Sequence, residues 1–149
     1  MHHQHILRVK TRGPGLYEFT KAADGFVRQT NRQADQGHAT RPGLLTVFVR
    51  HTSCSVLVQE NADPDVMRDL EAYFSRLVPS ADDPSMTYLV HRAEGPDDMP
   101  AHIKTALTQT SIGIPTNDGQ LMLGTWQGLF LYEHRAAPHT REVVLHLSA

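Results

Sequence analysis

Any chemistry in this chain has to come from four short polar clusters. The first, His51-Thr52-Ser53-Cys54-Ser55, follows the apolar run Leu44–Arg50. Beside an imidazole at a strand end, the hydroxyls could bind phosphate or orient the ring. The same residues also suit a polar turn in which Ser and Thr bond the backbone. The second is Glu60-Asn61-Ala62-Asp63-Pro64. Asp63 has a sufficient task as a helix cap, whereas Glu60 ends an apolar strand and needs either solvent or a cation.

The third cluster runs from His91 to Lys104 (HRAEGPDDMPAHIK) and holds two histidines, basic residues and carboxylates. His102 falls in the first turn of a helix expected over Pro100–Thr108. Free N–H groups there suit an anion, and imidazole near carboxylate suits a divalent metal. A solvated acidic loop accounts for the same residues. The fourth cluster is Gly124-Thr125-Trp126-Gln127-Gly128, followed by Glu133-His134-Arg135 and Arg141. Trp126 could anchor the core or wall a pocket for a flat ring. Arg135 and Arg141 could grip a phosphate by paired hydrogen bonds. No G-x-S-x-G elbow supports a serine hydrolase, and a half-buried Cys54 reads as packing.

The elements that must carry these clusters are mostly strands. Gln4–Lys10, Leu16–Thr20, Leu44–Arg50, Ser55–Glu60, Met86–His91, Ser111–Thr116, Gln120–Gly124, Leu129–Glu133 and Arg141–Leu147 read as strands. Asp118-Gly119 reads as a two-residue hairpin turn. Lys21–Thr30 reads as a short helix with Ala22, Phe26 and Val27 inward. A second helix starts at Asp63-Pro64 and carries Val66, Leu70, Phe74 and Leu77 on one face. Residues 31–43 read as a loop. Short connections and an excess of strands predict an α+β fold of largely antiparallel or mixed sheet with two or three short helices.

With 149 residues the chain makes one domain, residues 1–149, too short for a (β/α)₈ barrel. A net charge of −2 argues against a nucleic-acid partner. One cysteine rules out an internal disulfide. No apolar run reaches the length of a membrane span or a signal peptide, so a cytoplasmic protein with no membrane partner is expected. His2, His3 and His5 crowd the first five residues and are assigned no role.

Three long stretches taken together resemble the YjbQ-like family, whose members are labelled secondary thiamine-phosphate synthase enzymes: His51–Pro79, Glu94–Lys104 and Gly124–Arg135. The resemblance implies a homotrimer around a histidine site, with a divalent metal (Zn or Mg) and a small phosphorylated metabolite as partners. It makes His51, His91 and His102 the metal ligands. His51, Glu60, His102 and Lys104 become the catalytic set, and Trp126, Gln127 and Arg135 the substrate contacts, to which the hydroxyls of Ser53 and Ser55 in the first cluster are added. The implied reaction joins a pyrimidine methyl diphosphate to a thiazole phosphate. A metal-dependent hydrolase and a non-enzymatic trimeric metabolite-binding protein are the rival readings.

Overall fold

In the computed structural model, which describes residues 1–34 and 41–149, two antiparallel sheets pack against each other. The larger is built from β1 (His2–Thr11), β3 (Pro42–Val49), β5 (Ser111–Asn117), β6 (Gln120–Leu121) and β8 (His139–Ser148), in the order β1-β8-β3-β5-β6. The smaller holds β2 (Gly15–Glu18), β7 (Gln127–Glu133) and β4 (Cys54–Glu60), with β7 central. Helices α1 (Thr20–Ala34), α2 (Pro64–Leu77) and α3 (Asp98–Leu107) complete the expected α+β class.

Period-two alternation places the core. Leu45, Val47 and Val49 of β3 lie beside Val143, Leu145 and Leu147 of β8, and meet Val56, Leu129 and Leu131 of the smaller sheet. The opposite face of the larger sheet is ordered in rows. One row is charged (Arg50, Glu142, Arg8), one apolar (Phe48, Val144, Ile6), and one polar (Thr46, His146, Gln4).

Several expectations are corrected. Met86–His91 is not a strand. Asp83 caps a single 3-10 turn at Pro84–Met86, and the Arg92 guanidinium donates to the carbonyls of Ala81, Met86 and Leu89. Those acceptors are therefore satisfied without a neighbouring strand. α1 runs on through Ala34, and Ala23 and Val27 face the core instead of Ala22. Of the expected loop 31–43, Asn31–Ala34 are helical and Pro42–Gly43 begin β3, while residues 35–40 lie outside the described residues. α3 begins at Asp98, two residues before Pro100, because first-turn N–H groups have no helical partner to lose. The Asp118-Gly119 turn stands, with φ of 51° and 70°.

Candidate metal centre

Among the described residues, the most concentrated donor set forms where the loop after the 3-10 turn enters α3. The Arg92 bonds fold that loop back, so that His91 Nε2 lies 2.8 Å from Asp98 Oδ2. One helical turn on, His102 Nε2 lies 3.3 Å from the same oxygen. The two imidazole rings are 5.6 Å apart. Asp98 is 1% exposed, and its other oxygen accepts from Arg135 Nη1 at 2.8 Å. Burial works against the carboxylate charge. The His91 hydrogen bond, then the Arg135 charge, outweigh it and hold Asp98 below the usual carboxylate range.

His102 Nδ1 sits 2.8 Å from the carbonyl oxygen of Thr52. A carbonyl can only accept, so Nδ1 carries the proton and Nε2 of a neutral ring presents a lone pair. That lone pair faces a carboxylate oxygen.

Arg135, expected to grip a substrate phosphate, is committed to the protein. Its Nε donates to Asp97 at 2.9 Å, Nη1 to Asp98 and Nη2 to the Glu94 carbonyl at 3.1 Å. It positions Asp98. Arg141 is likewise withdrawn into the interior, paired with the fully buried Glu133 and donating to Ser53 Oγ at 3.0 Å. The expected phosphate grip of these two arginines is therefore not assembled.

The histidines expected to act together are divided. His51 Nε2 accepts the Glu142 N–H at 2.7 Å, so His51 is not grouped with His91, Asp98 and His102. Its neutral form carries the proton on Nδ1, and burial, then the Arg141 charge, keep its pKa below the ordinary value. His51 and His102 nevertheless line one open cleft of about 710 Å³, with Phe48, Thr52, Thr105 and Gln109.

Other expected residues stand elsewhere. Ser55 is fully buried against His134 and Thr108. Lys104 lies on the other flank of α3 from His102, in the wall of a second cavity, and burial lowers its pKa. Glu60 pairs in register with Gln127 at the far end of β4 and β7 from Cys54 and Glu133. Six strand steps put that end about 20 Å away. Trp126 is no core anchor, being 63% exposed, and Gln127 Oε1 accepts the Gly124 N–H of its own turn. Burial pushes the Cys54 thiol up to about 12, so it stays protonated.

Two members of the site escape a reading of the sequence. The Thr52 contact is a backbone atom and leaves no signal. Asp98 has one, its four-residue spacing from His102, but a helix assumed to begin at Pro100 hides it.

The family model described as UPF0047 protein YjbQ-like matches residues 5–149. A UPF0047 protein of Synechocystis is 49% identical over 146 residues, covering 98% of this chain and 91% of that protein. The UPF0047 protein YjbQ of Escherichia coli O157:H7 is 41% identical over 102 residues, covering 68% of this chain and 70% of that one. Among solved structures, a conserved hypothetical protein of Thermus thermophilus superposes with a TM-score of 0.75 at 33% identity, covering 94% of this chain and 97% of that one. A hypothetical protein of Aeropyrum pernix gives 0.79 at 26% identity, with 96% of each chain covered.

Proposed function

The chain belongs to the YjbQ-like UPF0047 family, and from that premise we propose that His91, Asp98 and His102 hold a divalent cation that serves hydrolysis of a small molecule in the adjacent cleft. One observation carries the reading. The Thr52 carbonyl fixes the proton of His102 on Nδ1, which turns the Nε2 lone pair toward Asp98 Oδ2 at 3.3 Å. Two acceptors facing each other call for a positive centre between them, which a divalent cation or a proton on Nε2 would supply. Donor atoms about 2.0–2.1 Å from a cation stand roughly 3.0–3.4 Å apart, and the gaps of 2.8 and 3.3 Å are close to that.

Two imidazoles and a carboxylate suit Zn or Fe(II) and leave coordination positions open. A cation held there would supply Lewis acidity and a more acidic bound water. Arg135 and the Thr52 carbonyl orient the donors. Neutral His51 offers its Nδ1–H to a substrate oxygen in the cleft. The synthase reading implied by the resemblance has less support, because Arg135 is committed to carboxylates and Lys104 lies on the other flank of α3.

The test begins with chelator-treated protein titrated with Zn²⁺, Mn²⁺ and Fe²⁺, beside Asp98→Asn and His102→Gln. One equivalent of metal in the wild type, lost in both variants, is expected. The loaded protein is then assayed on phosphoesters, cyclic esters and lactones, and for thiamine-phosphate synthesis. No stoichiometric metal, or equal binding in the variants, would sink the metal reading. Turnover confined to the synthase assay would move the assignment to a transferase.

A further inference from the structure

A second cavity, about 170 Å³, lies on the Lys104 flank of α3, between the end of α2 and the end of β7. At roughly 30 Å³ per water it has room for a small ion and is well below the size of a drug-sized ligand site. Lys104, His134, Ser75 and Ser80 are in its wall. Asp97 is there too, but its charge is matched by Arg135. Glu71, the other charge acting on Lys104, is not part of the wall.

A chain of hydrogen bonds fixes the state of His134. Thr108 Oγ1 donates to the Lys104 carbonyl at 2.8 Å. It therefore accepts from the neighbouring Ser55 hydroxyl. Ser55 Oγ in turn accepts from His134 Nε2 at 2.8 Å. Nε2 thus carries the ring proton, and Nδ1 is a bare acceptor. His134 is 3% exposed, and Nδ1 has no partner among the described residues. Burial, then the Lys104 charge, bring its pKa down to about 3, so the ring is neutral at pH 7. A buried acceptor without a donor costs about 1–3 kcal/mol.

We propose that this cavity is a subsite for hydrogenphosphate, an oxoanion that keeps one proton, with its O–H given to His134 Nδ1 and its charge met by the Lys104 ammonium. A fully deprotonated anion satisfies the lysine and leaves the imidazole orphaned. A neutral donor satisfies the imidazole but brings no charge to the ammonium, whose acidic neighbour Glu71 lies outside the wall. The site lies on the other flank of α3 from His102, although Asp97 in its wall shares Arg135 with Asp98.

The experiment uses chelator-treated, full-length protein, so that a failed metal centre cannot decide it. Inorganic phosphate and sulfate are titrated at pH 7 while the imidazole nitrogens are followed by ¹⁵N NMR. Phosphate is expected to saturate with a shift at His134 Nδ1, and sulfate to bind at least about tenfold more weakly. Lys104→Met, which keeps the apolar stem, is expected to weaken phosphate by about tenfold or more. Equal affinity for sulfate, an unmoved His134 signal, or unchanged phosphate binding in Lys104→Met would each overturn the proposal. The phosphate–sulfate comparison stands on wild-type protein alone if the variant fails to fold.

Discussion

The orientation of single side chains here is decided by what their second polar atom touches. His134 is the extreme case. Unfolded, it takes a proton near pH 6.5, whereas folded it resists one down to about 3. Between those values the unfolded chain binds the extra proton, so acidification favours unfolding, with a slope of up to about 1.4 kcal/mol per pH unit. His51 acts in the same direction. Thermal denaturation from pH 7 to 4 should therefore show a steep loss of Tm, and His134→Gln should flatten it by close to one proton. Arg135 gives the second residue-scale expectation. Arg135→Lys keeps one cation but cannot reach Asp97, Asp98 and the Glu94 carbonyl together. Metal affinity measured by calorimetry should drop by about 10–100-fold without loss of the fold.

At the scale of elements, most of what pattern and turn chemistry can encode was legible. Leu44–Arg50 is rich in β-branched and apolar residues, and Leu44–Val49 of it lie in β3. Asp63 caps α2 by accepting the Asp65 N–H at 2.9 Å. What eluded the pattern was governed by long-range polar contacts. Met86–His91 has strand-like residues, but Arg92 takes up the local carbonyls. Arg135 reads as a phosphate ligand, yet a carboxylate pair 37 and 38 positions earlier claims it. Turn chemistry also supplies a stability test. Gly119 has φ +70°, and an added Cβ would lie 2.8 Å from Asn31 Cβ. Gly119→Ala should cost about 1–2 kcal/mol and lower Tm by roughly 3–8 °C in scanning calorimetry.

At the scale of the whole molecule, apolar side chains stand out beside the proposed metal site and on the outer sheet face. Val90, adjacent to His91, is 93% exposed, and Tyr88 stands out beside it. Leu44 and Phe48 project from β3, and Tyr73 and Leu77 from α2. No helix among the described residues is long and apolar enough to cross a membrane, so lipid does not account for these faces through a helical span. Symmetric association is the ordinary way to cover them. The trimer implied by the family resemblance predicts a light-scattering mass three times the chain's at micromolar concentration, reduced by Phe48→Asp. A monomer mass for the wild type would remove the trimer.

Strand β1 pairs with β8 along its full length, His2 opposite Ser148 and Thr11 opposite His139. The consequence lies in time. A sheet whose first and last strands are neighbours has a high contact order, and loop closure must be met before its pairing brings any gain. β1 is synthesised before β8 yet docks only after residues 139–148 have been made. Stopped-flow refolding should accordingly run in the millisecond-to-second range. Nascent chains stalled before His139 should remain protease-sensitive at β1.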